Sequence, residues 1–258
     1  MSERDVARAL REHGEELASA AAAQVGDAFT WPPADAFLKS SANAFLLGVL
    51  FTQGLPAERA WAGPYLLSER LGHLDLDRLA NEPEAVRAAF ATAPALHRFV
   101  QTLPRWVSSA ARRLLDDYEG DAAGIWPSGA HVLDVTERLL AFDGIGQKKA
   151  AMAVELLVRH FGVQLAGIDC GTVAYDVHVR RVFLRTGLID KDTPDEVRRA
   201  AARVCPEAPG LIDLPTWLIG RETCRPKRPA CERCRLGEVC PRHVDRDAPG
   251  VGVRRATS

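Results

Sequence analysis

Four cysteines, Cys224, Cys231, Cys234 and Cys240, stand at x6, x2 and x5 intervals near the C-terminal end of the sequence. Thiolates crowded in this way suit shared coordination of a soft metal, either tetrahedral zinc or an iron-sulfur cluster. Zinc ribbons place two Cys-x2-Cys pairs a dozen or more residues apart. Only one such pair occurs here, which tips the expectation toward a four-iron four-sulfur cluster held by the loop 221–241. The charged opening MSERDVARALREHGEE reads as no export signal, and no apolar run approaches the roughly 20 residues that span a bilayer. A cytoplasmic protein without membrane attachment is therefore expected. In that reducing compartment the six cysteines are poor disulfide candidates, and Cys170 and Cys205 are read as bystanders.

A second set of chemical groups surrounds Asp143-Gly144-Ile145-Gly146, followed at once by Lys148 and Lys149. The flanking segments DVTERLLAF and QKKAAMAVELLVRHF have helical periodicity, so the glycines join a helix-hairpin-helix. Without a Cβ, the backbone N–H groups of Gly144, Ile145 and Gly146 could approach a phosphate at a helix N-terminus. An ordinary turn between two helices would carry the same glycines. The formal net charge is −1 and the pI about 6.7, so global electrostatics do not mark a nucleic-acid binder and local patches must carry that reading. Residues 221–242 hold seven Arg or Lys, Lys227 and Arg228 among them, against three Glu; Arg180, Arg181 and Arg185 form a second cluster.

The elements that position these groups are helices. Apolar residues recur at helical spacing and strand-like alternation is nearly absent, so the fold class expected is all-α. Helices are expected over 7–26, as one buried span over 34–54, around 56–71 and 84–92, and over 96–117, where Pro104 breaks or begins the helix. Thr193, Pro194 and Glu196 supply an N-cap, a first-turn proline and a capping-box glutamate. The tail after Pro241 reads as frayed.

The hairpin with its lysine, then Tyr-Asp-Val-His-Val-Arg-Arg-Val-Phe-Leu-Arg-Thr-Gly from Tyr175, then the cysteine spacing, together resemble the endonuclease III family of helix-hairpin-helix DNA glycosylases. The resemblance runs in order from about residue 42 to 240 and is most specific in the cysteines. It implies two helical domains flanking a DNA-binding cleft: 34–163 as a six-helix barrel, and 1–33 with 164–258 as the domain of the iron-sulfur loop. It implies a monomer acting on double-stranded DNA that carries a damaged base or an abasic site, associated with the nucleoid. A monovalent cation at the hairpin is a further expectation.

The same resemblance assigns roles. Lys148 would be the nucleophile that displaces the base and forms a Schiff base, and Asp176 would stabilise the developing sugar cation. Attack needs a neutral amine, whereas a free lysine has a pKa of about 10.4; the helix N-terminus and the Lys149 charge would both push that value down. Without the resemblance, Lys148 reads as a phosphate-contacting lysine and Asp176 as a helix N-cap. Asp169 is the competing carboxylate. Gln53 would fill the space left by an extruded base, and Trp106 would stack or wedge. Lys149, Lys227 and Arg228 join the hairpin glycines as DNA contacts.

Three departures stand out: Asp143 in place of a proline, Lys149 in place of a small hydroxyl residue, and a longer interval from Lys148 to Asp176. The activity implied is removal of oxidised pyrimidines with β-elimination at the abasic site. The alternatives are a monofunctional mismatch glycosylase, whose adenine-excising branch carries a catalytic glutamate where this sequence has Gly48, a catalytically silent DNA-binding protein, and a zinc-binding helical module.

Overall fold

The computed structural model describes residues 2–23 and 30–246. The frayed tail expected after Pro241 lies largely outside them, as does the end of the helix expected over 7–26. Among the described residues there is no strand, only an isolated bridge between His131 and Ala166, so the chain is all-α. The chain divides into two compact units, residues 21–166 and residues 1–20 with 167–258.

The continuous unit buries Phe45, Leu46, Leu50, Phe51, Phe90 and Leu103 at its centre. The single helix expected over 34–54 is two, α2 (Pro32–Ser40) and α3 (Ala42–Phe51). Ser41 divides them because its side chain accepts from Ala44 N at 3.3 Å, which ends one helix and opens the next. Helices α4 (Ala57–Trp61) and α5 (Gly63–Leu71) follow, then α6 (Leu76–Asn81), which the periodicity did not announce, and α7 (Pro83–Ala91). Helix α8 (Thr102–Tyr118) takes Pro104 in its first turn, where the missing N–H costs nothing. Helices α9 (Val132–Leu140) and α10 (Gln147–Arg159) form the hairpin. After α10 the chain returns along residues 129–132, with Val132 N to Ala166 O and Ala166 N to Ala130 O both at 2.9 Å.

The discontinuous unit packs α11 (Val177–Thr186), α12 (Pro194–Val204) and α13 (Asp213–Glu222) with α1 (Glu3–Ala23). Its core holds Val179, Phe183, Val197, Ile212 and Leu236. Thr193 caps α12 as expected, accepting from Glu196 N at 3.2 Å. The reciprocal half of the capping box is replaced, since the Glu196 carboxylate pairs with Arg199 one turn on at 2.7 Å. No helix of the described residues is long and apolar enough to cross a membrane.

Candidate functional site

In the hairpin, Gly144 has φ +80, a left-handed conformation that favours glycine. A Cβ there would stand 2.4 Å from the indole of Trp106. Both the backbone and the packing therefore require this glycine. Ile145 is buried at 5% exposure and gives its N–H to Phe142 O at 3.1 Å, closing the turn. Of the backbone groups expected to offer themselves to a phosphate, the Ile145 N–H is thus already engaged in the turn. Gly146 differs: it is exposed, caps α10 without a side-chain bond, and has nothing within 4 Å of where a Cβ would stand. An open helix start of this kind is the arrangement an anion can approach. Beside it the Asp143 carboxylate accepts from Ser109 Oγ at 2.8 Å.

The two lysines separate. Lys148 is exposed, whereas Lys149 is 7% exposed and points inward, since neighbours on a helix diverge by about 100°. Lys149 was expected among the DNA contacts; its side chain lies instead inside this unit. Its Nζ donates to Leu50 O at 2.7 Å and stands 5.5 Å from the centre of the Trp106 ring. Burial first, and the Lys148 charge second, bring the Lys149 pKa down from 10.5 to about 8. Trp106, half-buried on α8, is thus built into the packing between Gly144 and Lys149. Gln53 follows α3, half-buried, its N–H given to Phe51 O at 2.7 Å. At Gly48 a Cβ would meet the Trp61 ring at 2.8 Å, so the position that bears a glutamate in the adenine-excising branch is closed by an aromatic ring.

In the other unit Asp176 is 7% exposed and caps α11, its Oδ1 accepting from His178 N at 2.7 Å and Val179 N at 2.9 Å. The preceding Tyr175 hydroxyl donates to Asp192 at 3.0 Å, and Arg180 pairs with the same carboxylate. Asp169 is exposed in the 3-10 turn Ile168–Cys170, beside exposed Cys170; Cys205 is buried in the core.

The cluster Arg180, Arg181 and Arg185 is not a surface patch. Arg181 and Arg185 are 5% and 3% exposed. Arg181 donates to Cys224 O and Gly220 O, both at 2.6 Å, and Arg185 donates to Arg225 O at 2.8 Å and Pro226 O at 3.0 Å. Their charges are spent holding the start of the cysteine loop. Arg181 and Arg185, four residues apart, share one face of the helix opened by Asp176. The loop's own Arg225, Lys227 and Arg228 are exposed.

All four loop cysteines are free thiols. Burial pushes the Cys240 thiol pKa up, the Arg242 N–H opposes the rise, and Cys224, Cys234 and Cys231 add to it, so those three lie within electrostatic reach of Cys240. Arg242 N donates to Cys240 Sγ at 3.3 Å, and Arg185 donates to Cys224 Sγ at 3.7 Å. Four thiols on one loop, two of them with N–H donors at sulfur, match a thiolate-ligated cluster in donor chemistry. Among the described residues no group of three or more His, Cys, Asp or Glu stands in a geometry that would hold a metal ion.

No family model matches the chain. Endonuclease III of Thermotoga maritima is 33% identical over 113 residues, 43% of this chain and 48% of that protein. Endonuclease III of Synechocystis is 27% identical over 145 residues, 55% of this chain and 57% of that protein. The chain thus spans about half the length of these relatives. In fold it resembles a trapped endonuclease III-DNA covalent intermediate at a TM-score of 0.63 and 18% identity, over 93% of this chain and 96% of that one. The resemblance carried by the hairpin, the Asp176 segment and the cysteines is to this same family.

Proposed function

We propose, from this similarity to endonuclease III, that the chain is a base-excision DNA glycosylase that also cleaves the abasic site, with oxidised pyrimidines as its substrates. The observation that carries the reading is the exposed Lys148 on the first turn of α10, two residues past the open Gly146 helix start. A phosphate at that start would fix the strand, and Lys148 would reach the sugar of a nucleotide taken out of the stack. Its Nζ lone pair attacks C1′ as the glycosidic bond breaks, and the base leaves with the bonding pair and acquires a proton. Ring opening gives a protonated imine between Lys148 and C1′. That imine acidifies C2′, whose proton is removed as the C3′ oxygen leaves with its phosphate.

Asp176 supplies the carboxylate. Two backbone N–H groups hold its Oδ1, which fixes the carboxylate on α11, and in the proposed reaction its charge would stabilise the developing sugar cation. Cys224, Cys231, Cys234 and Cys240 would hold the four-iron four-sulfur cluster, whose contribution is to fix the loop's shape. Exposed Lys227 and Arg228 would then meet DNA phosphates.

Borohydride reduction on duplex DNA containing an abasic site or thymine glycol tests the chemistry. The wild type should give a covalent adduct mapping to Lys148, and Lys148→Ala should give none. A wild type that binds duplex without trapping would show a silent binder. Excision without trapping would show a monofunctional glycosylase.

A further inference from the structure

Lys149 is the one buried lysine among the described residues. The ionisable groups acting around it are Lys148 on its own helix and, from the segment after α7, His97, whose pKa burial lowers, the Phe51 and Gln53 backbone raises, and Lys149 lowers. Among the described residues no carboxylate offsets it; its partners are the Leu50 carbonyl and the Trp106 face. A charge kept in such a place costs stability, so what it holds is informative.

What it holds is the end of α3. The last carbonyls of a helix lack intrahelical donors. Here Val49 O accepts from Thr52 Oγ1 at 2.7 Å, Leu50 O from Lys149 at 2.7 Å, and Phe51 O from Gln53 N at 2.7 Å. Lys149 therefore supplies the middle bond of a turn that leads directly into Gln53, and it does so from the residue next to Lys148. A cation there also meets the negative end of the α3 dipole.

We propose that Lys149 is a positioning residue: its side chain ties the first turn of α10, which presents Lys148, to the C-terminal turn of α3, which leads into Gln53. The inference deepens the proposed glycosylase reading and rests on it. A small hydroxyl residue at this position could not reach Leu50 O, so the tie belongs to this chain and not to the family pattern. The charged amine makes the stronger bond to a carbonyl, and deprotonation near pH 8 weakens it.

The test is single-turnover trapping on abasic-site duplex across pH 6.5 to 9.5 for the wild type, Lys149→Met and Lys149→Arg, with amide exchange at residues 52–54. Lys149→Met should lower the trapping rate roughly 10- to 100-fold, because a misplacement of order 1 Å costs about that much. The same variant should speed exchange at Gln53 and Gly54. Lys149→Arg should restore most of the rate. The wild-type profile should turn down above pH 8, and the arginine variant should lack that descending limb because its charge persists. An unchanged trapping rate in Lys149→Met, or an identical descending limb in Lys149→Arg, overturns the proposal. If the wild type forms no adduct, the reading of Lys148 fails. Exchange at Gln53 and Gly54 then decides on the tie alone, and exchange in Lys149→Met equal to the wild type refutes it.

Discussion

Glu155 lies on α10 with its side chain 16% exposed, and Arg159 stands one turn on, Nε to Oε2 at 3.5 Å. Burial lifts its pKa from 4.5 to about 7, with the Arg159 charge opposing the rise. The folded chain therefore holds this proton more tightly than the unfolded one. Stability from the group is complete below pH 4.5 and is lost as pH rises through 7. A rise from 4.5 to about 7, at 1.36 kcal/mol per unit, amounts to about 3 kcal/mol. Glu155→Gln places a neutral amide of the same shape there and removes the titration. At pH 8 the variant should be more stable by about 2–3 kcal/mol, or on the order of 5–10 °C in Tm for a chain of this size. Near pH 4.5 the two proteins should be equally stable. Urea unfolding at both pH values, fitted with a common slope, measures the difference. A variant less stable than the wild type at pH 8 would refute the reasoning, because the Arg159 ion pair would then outweigh the desolvation of the carboxylate.

Asp176→Ala should cost about 1 kcal/mol of stability through loss of the α11 cap, whereas Asp176→Asn keeps the cap and should cost a few tenths at most. Both should lose excision, and an active asparagine variant would reduce Asp176 to its cap. Lys227→Ala or Arg228→Ala should weaken DNA binding and lower the slope of log K against log salt by about 0.9, one phosphate contact. An unchanged slope would take the loop off the DNA. The purified protein should be brown, absorbing at roughly 400 nm as iron-sulfur charge transfer does. A colourless protein carrying stoichiometric zinc would replace the cluster with a single ion.

The helices and their caps were legible because their determinants are local. Thr193 and Asp176 cap α12 and α11 from side chains two or three residues away from the amides they bond. What escaped the sequence depends on residues far apart in it. Lys149 and Leu50 are 99 positions apart, and Gly144 is fixed by Trp106 on another helix, so neither the buried amine nor the glycine's second reason could be read from the hairpin alone. The split at Ser41 was a local signal overridden by the run of apolar residues around it, since Ala42 to Phe51 is buried almost throughout and lacks a polar face to mark its period. The arginines of α11 were visible as charge but not as buried donors, because charge in a sequence does not say which carbonyls it will meet.

Those arginines bear on what a metal at the cysteine loop would do. Through Arg181 and Arg185, α11 already fixes the carbonyls of Gly220, Cys224, Arg225 and Pro226, so Cys224 and the chain leaving it are held by protein bonds. The segment with the other three cysteines turns on itself, with Cys234 N to Cys231 O at 3.2 Å, Gly237 N to Cys234 O at 2.8 Å and Cys240 N to Leu236 O at 2.7 Å, and it meets α11 at Arg185 O, which accepts from Cys240 Sγ at 3.7 Å and His243 N at 2.9 Å. Short turns of this kind leave few apolar contacts to resist opening. A metal held by the four cysteines, as proposed, would add a further tie between this segment and the part α11 holds, and Lys227 and Arg228 lie between Cys224 and Cys231. The same helix is capped by Asp176, so the candidate carboxylate and the fixed end of the basic loop share one rigid element.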